Sequence, residues 1–203
     1  MKSILIPTAL QLDALYSVKA AIKQTAGTHC TITLLMAHEA PDTESASYFL
    51  RATRPSLTSA QLAVLDDCRE AVAKTANCRL EIHNQYGLSG PLLKNLMEHL
   101  AVNLIIIPAS YKLDSLRIHR NCLELLANSK MPILHMTNEC EEQEFSKALY
   151  VEQNPLLGVQ ELQQLISSQF TFKIVSHTAL NAEANPNIQL TEAIEKNNID
   201  LVI

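Results

Sequence analysis

Apolar residues fall into two alternating kinds of segment along this chain: short, nearly unbroken runs and longer stretches spaced at three and four residues. The runs are KSILIP (2–7), CTITLLMA (30–37), CRLEIH (78–83), NLIIIP (103–108) and MPILHM (131–136). Between them, Leu12, Leu15, Val18 and Ile22 recur at helical spacing until Gly27 stops the pattern. Leu62, Leu65, Cys68 and Val72 do the same behind Thr58, a residue suited to capping a helix start. Leu93, Leu96, Met97 and Leu100 follow a start near Ser89, with Pro91 in the first turn, where its missing N–H costs nothing. Residues 121–129 (NCLELLANS) predict one more short helix, preceded by a connector, SYKLDSLRIHR. In the third strand, Cys78, Leu80 and Ile82 are expected to face inward. Strands apolar throughout and alternating with amphipathic helices imply a parallel sheet covered on both faces. The predicted class is α/β, a Rossmann-like, doubly wound, five-stranded parallel sheet.

After residue 137 the pattern pauses. NECEEQEFS (138–146) carries four Glu in nine residues with no periodicity, as a solvated linker would. The order of elements then begins again: KALYVE (147–152) resembles KSILIP, a helix carries Val159, Leu162, Leu165 and Ile166, and TFKIVS follows as a strand. Aligned without gaps, LLKNLMEHLAVNLII (92–106) and QLTEAIEKNNIDLVI (189–203) share apolar residues at Leu93/Leu190, Met97/Ile194, Leu104/Leu201 and Ile106/Ile203, and match Asn103 with Asp200. The expected organisation is a domain at 1–138, an acidic linker at 139–146 and a truncated second βαβαβ copy at 147–203. The copy lacks the long helix and third strand. A unit that small is marginal alone.

Composition narrows the function classes. Net charge is −5 with no block of Lys or Arg, which argues against a nucleic-acid or anionic-membrane surface. The apolar stretch before Pro7 is too short for a signal-peptide core or a membrane span, so a cytoplasmic protein is expected. Five cysteines, Cys30, Cys68, Cys78, Cys122 and Cys140, form no CxxC pair; all but Cys140 fall in apolar-periodic segments, and they read as reduced, mostly buried thiols. Only four Gly leave little backbone able to wrap phosphates.

Taken in order, KSILIPT, TITLLMAHEAP, GLSGPLLKNLMEHLAVNLIIIPAS and LELLANSKMPILHM make the first 137 residues resemble the universal stress protein family, and the second part is similar to its tandem members. ATP-binding members of that family carry an acidic residue just after the first strand. After the fourth they carry glycines spaced Gly, two residues, Gly, nine residues, Gly and Ser or Thr. Here the first feature is replaced by Pro7, Thr8 and Ala9, with Ala9 at the carboxylate position, and the second by PASYKLDSLRIHRN, which has no glycine. Phosphate cradles need successive inward N–H groups, a conformation Tyr111, Lys112 and Leu113 adopt only with strain. The resemblance therefore implies a degenerate member without bound nucleotide, acting by contact with partners. It also implies a dimer through residues 132–137, or a pseudo-dimer in which the second copy covers that edge.

Two other classes stay open. Arg117 and Arg120 are expected just before a helix N-terminus capped by Asn121, where an anion is favoured. With Thr8, Ala9, Met36, Ala109 and Ser110 they would form a rim for ATP, AMP or a small anion at the strand carboxyl ends. A hydrolase would use Cys122, expected in the first turn of its helix, or a histidine, but no base and orienting partner is evident, and a buried thiol is the simpler account. His38, His83, His119 and His135 show no ligand spacing, and Asp66, Asp67 and Glu70 read as a solvated helix face.

Overall fold

The computed structural model of the chain describes residues 2–25, 27–41, 56–137, 147–152, 159–167, 172–179, 186–197 and 199–203. It divides into two compact units, Met1–Glu141 and Glu142–Ile203. The acidic stretch 138–146, with Cys140, lies outside the described residues, as does 42–55.

The first unit runs β1 (Lys2–Pro7), α1 (Asp13–Gln24), β2 (Cys30–His38), α2 (Ser59–Ala73), β3 (Cys78–Tyr86), α3 (Gly90–His99), β4 (Leu104–Ile107), α4 (Ala109–Leu113), α5 (Arg117–Ala127) and β5 (Ile133–His135). Its strands form one parallel sheet in the order β3-β2-β1-β4-β5. The central strands are the most apolar: Ile4, Leu5, Ile6, Ile32, Leu34, Leu35, Ile105 and Ile106 are at most 1% exposed. One side of the sheet packs Leu5, Leu35, Ile105 and Ile107 against Leu93, Ile118, Cys122 and Leu126 from α3 and α5. At the amino end of the β1–β4 seam, Asn103 N–H donates to Ser3 O (2.8 Å) and Ser3 N–H to Asn103 Oδ1 (2.9 Å).

Several helical faces differ from the periodicity reading. α1 buries Ala14, Ser17, Val18 and Ala21, while Leu12 is 74% exposed. Small residues there let the helix lie close to the sheet. α2 is capped as expected, Thr58 Oγ1 accepting from Gln61 N–H (3.2 Å) and Gln61 Oε1 from Thr58 N–H (3.0 Å). Its buried stripe is Val64, Leu65, Cys68 and Val72, and Leu62 is exposed. Asp66 and Glu70 are solvated, as expected, paired with Arg69 and Lys74. Ile82 is exposed because β3 is an edge strand with one neighbour. The last large helix begins at Arg117, a turn earlier than expected, because Ile118, Cys122 and Leu126 form one buried i, i+4, i+8 stripe. Asn121 is therefore inside the helix and is not its cap. Arg117 and Arg120 occupy its first turn, and Cys122 lies beyond it.

The second unit contains β6 (Lys147–Glu152), α6 (Val159–Ser167), β7 (Lys173–Ala179), α7 (Pro186–Asn197) and β8 (Leu201–Val202), with a parallel sheet ordered β7-β6-β8. Its wiring parallels that of β2-β1-β4. Asp200 N–H donates to Lys147 O (3.0 Å) and Lys147 N–H to Asp200 Oδ2 (3.0 Å), as Asn103 and Ser3 do. Ile199 N–H closes on Ile194 O (3.1 Å) as Val102 N–H does on Met97 O (3.0 Å). Ala148 pairs with Leu201 where Ile4 pairs with Leu104, so KALYVE matches SILIPT, one residue on from KSILIP.

Burial sets the scale of the mutational effects. Ile105→Ala is expected to cost about 2–5 kcal/mol, and Leu62→Ala on the exposed side of α2 under about 0.5 kcal/mol; denaturant unfolding of the two variants compares them.

Candidate functional site

The carboxyl ends of β1, β2 and β4 are where an open α/β sheet presents ligand groups. At the end of β1, Thr8 is buried and its N–H donates to Leu35 O (2.9 Å), while its Oγ1 accepts from Leu10 N–H (2.8 Å). Leu10 takes a left-handed conformation there, φ 57°, with its side chain buried. The Ala9 carbonyl accepts from Gln61 Nε2 (3.1 Å), so the residue that closes the capping box of α2 with Thr58 also ties down the β1 exit.

After β4 the chain turns into α4 with extended Pro108 as its N-cap. Ser110 N–H donates to Asp13 Oδ2 at 2.7 Å and Ser110 Oγ donates to Asp13 Oδ1 at 2.6 Å. The carboxylate comes from the first turn of α1, where the helix dipole also favours it. Ala109 and Tyr111 are buried, and Tyr111 inserts into the core beside Leu5, Ile118 and Cys122. Lys112 Nζ donates to Met136 O (2.7 Å), fastening the helix to the exit of β5. Asp114 Oδ1 accepts from Leu116 N–H (2.8 Å), and its Oδ2 lies 2.9 Å from Nδ1 of buried His119, whose ring is 4.6 Å from that of Tyr111. Ser110, Tyr111, Lys112 and Asp114 after β4 are thus each held by the protein's own groups. Sequence reasoning missed Asp13. A strand exit with no glycines but amides to satisfy calls for an internal acceptor, and Asp13 is the one acidic residue between the first two strands.

Two cavities open near this edge. One, of about 600 Å³, is lined by Glu39, Gly87, Arg117, Arg120, Asn121 and Glu124 among others. Asn121 Nδ2 donates to Leu88 O (3.2 Å) at its wall. Two arginines face two glutamates, so the lining is polar and formally balanced. The other, of about 470 Å³, is more apolar and is lined by Met36, Leu57, Leu62, Leu65 and Ile82 with Arg69 and Asn84. The expected single rim is therefore divided. Arg117, Arg120 and Asn121 come together, Met36 belongs to the second cavity, and Thr8, Ala9, Ala109 and Ser110 line neither of these two.

Burial pushes the Cys122 thiol up to about 11, Tyr111 working the other way, and pushes the Tyr111 phenol far above its ordinary value. A fully buried thiol so held is a packing group. His119 and Asp114 do come into contact, which the sequence did not reveal. His38 Nε2 bonds Asn84 Oδ1 (2.9 Å) and its ring stacks on Tyr86, and burial with nearby Lys112 holds His135 below its usual value. Among the described residues no three His, Cys, Asp or Glu side chains are grouped to hold a metal ion.

Asp13→Ala is expected to cost about 1–3 kcal/mol by leaving the Ser110 donors unpaired, with faster amide exchange at Ser110 as the local readout. Asp114 gives the pH dependence. Burial alone would raise its carboxyl, but the Leu116 amide and the His119 ring together bring it below the ordinary value. Its contribution is therefore complete above about pH 4 and is lost as pH falls through the lowered value. Unfolding midpoints between neutral and acid pH are expected to fall more for the native chain than for Asp114→Asn.

No protein-family model and no curated protein matches the chain. Among solved structures it is similar to a universal stress family protein from Burkholderia pseudomallei (17% identity, 66% of this chain and 95% of that one, TM-score 0.44). It is similar also to a universal stress protein from Lactobacillus plantarum (14%, 67% and 97%, TM-score 0.43) and to a family protein from Arabidopsis thaliana with AMP bound (9%, 70% and 95%, TM-score 0.40). Likeness at this level speaks to neither activity nor ligand.

Proposed function

We propose that the chain is a universal-stress-like protein that works by contact with protein partners, as a regulatory or scaffolding component of a stress response, without catalysis and without a bound ATP. The observation that carries this reading is the pair of hydrogen bonds from Ser110 to the Asp13 carboxylate. On this reading, donors that a phosphate after β4 would call on are already used by an internal carboxylate. Tyr111 in the core and Lys112 on Met136 O oppose any opening of the segment. The second unit is read as a degenerate copy, from the matched seams at Asn103 and Asp200. The short strand β5 is proposed as the pairing edge, through residues 132–137, with a second copy of the chain. No described helix is long and apolar enough to cross a membrane; a cytoplasmic setting is part of the proposal.

A second reading has its own support: the cavity holding Arg117, Arg120 and Asn121 is large enough for a small anion or a nucleotide such as AMP or ATP. The balancing Glu39 and Glu124 weigh against a highly charged phosphate chain. Calorimetric titration with ATP and AMP, with and without Mg²⁺, separates the two. No heat is expected. Micromolar binding that disappears in the Arg117→Ala, Arg120→Ala double variant would overturn the first reading in favour of the second.

A further inference from the structure

At the amino end of the first sheet, away from the edge just described, Lys2, Cys30 and Cys78 are successive partners across β1, β2 and β3. Partnered residues of neighbouring parallel strands project to one face, with backbones about 4.8 Å apart. That lies inside the Cα range of about 4.4–6.8 Å that a disulfide spans. The two thiols differ in access. Cys30 is 3% exposed, whereas Cys78, on the edge strand, is the one described cysteine that is not buried. Thr25 Oγ1 lies within hydrogen-bond distance of the α1 carbonyls of Ala21 (3.1 Å) and Ile22 (3.0 Å) and 3.8 Å from Cys78 Sγ, a contact in which either atom can donate, and it holds that sulfur on the side of Cys30. Lys2 Nζ donates to Gln24 O (3.1 Å) on the same side of the pair.

We propose that Cys30 and Cys78 form a reversible oxidation site, in which a hydroperoxide oxidises Cys78 and Cys30 then closes an intrachain disulfide between β2 and β3. In the first step the Cys78 thiolate attacks the terminal peroxide oxygen. The S–O bond forms, the O–O bond breaks, and the departing oxygen takes a proton to leave as water or an alcohol. In the second step the Cys30 sulfur attacks the Cys78 sulfenic acid. The S–S bond forms, and hydroxide leaves with the Cys30 proton as water. Two thiols lose two electrons, and the peroxide gains them.

Burial pushes the Cys30 thiol up to about 11, Thr25 working against it and neighbouring Cys78 adding to it, which suits Cys30 to the second step and not to the first. Cys68 and Cys122 are wholly buried, and burial raises Cys68 to about 12. In-register positions keep their Cβ atoms near the strand spacing, wider than the mean of about 3.8 Å in disulfides. The bond must then draw the edge strand inward, and strained disulfides of that kind are the ones small thiols reduce readily. Both cysteines are the first residues of their strands, where the backbone can yield.

The test is to treat the reduced full chain with hydrogen peroxide and map disulfides by peptide mass spectrometry without reduction. The expected product is a Cys30–Cys78 linked peptide, formed with loss of two titratable thiols and reversed by glutathione. Cys30→Ser is expected to accumulate a Cys78 sulfenic acid trapped by dimedone, Cys78→Ser to form no such bond, and Cys68→Ser to behave as the native chain. A disulfide from Cys78 to Cys140 or to a second molecule would overturn the proposal, as would oxidation of Cys30 and Cys78 only once the chain is unfolded.

Discussion

A main-chain N–H at the end of a buried strand has to meet an acceptor, whether from the protein, from water or from a ligand. In this protein the acceptor for Ser110 is a carboxylate thirteen residues into the chain, and much of the rim is arranged around that choice. Asp13 has to open α1 to reach across, which places Leu12 in solvent and turns the small residues of the helix toward the sheet. Ser110, once held, directs Tyr111 inward and lets Lys112 reach the exit of β5. An internal anion with both oxygens in use is preorganised and always at hand. A ligand competing for those donors would have to displace it and leave a carboxylate partly desolvated.

The two units solve the same local problem by the same bonds. Each brings a helix down to a strand through a turn that closes on the helix carbonyl five residues back, at Met97 in one and Ile194 in the other. A side-chain oxygen then takes an amide near the start of the neighbouring strand, an amide oxygen of Asn103 at Ser3 and a carboxylate oxygen of Asp200 at Lys147. Shared strand order is what any right-handed β-α-β arrangement tends toward. A matched side-chain bond at one register is a narrower coincidence, and it also moves the alignment of the opening strands by one residue.

The strands were legible because burial on both faces leaves an apolar run with no other easy account. The edges were less so: Ile82 keeps the alternation of a buried strand but has a neighbour on one side only. Helix faces failed where leucine was trusted over alanine. Leu12 and Leu62 carry the stronger hydrophobic signal, while Ala14, Ala21 and Val64 occupy the core because close approach favours small groups. The start of α5 was hidden by Arg117, His119 and Arg120, polar residues that interrupt the sequence pattern though Ile118 lies in phase with Cys122 and Leu126. At the site, the absence of glycines after β4 could be read directly, but Asp13 meets Ser110 across most of the domain, and Asp114 and His119, though close in sequence, sit on either side of the α5 start that the sequence pattern hid.

Gly87 sits at the wall of the larger cavity with φ +67°, its N–H donating to His38 O, and a methyl group added there would stand 3.4 Å from the Ala40 side chain. The opening between the second and third strand exits is therefore as wide as a missing side chain makes it. Whatever enters meets bare peptide at that point, beside the arginines.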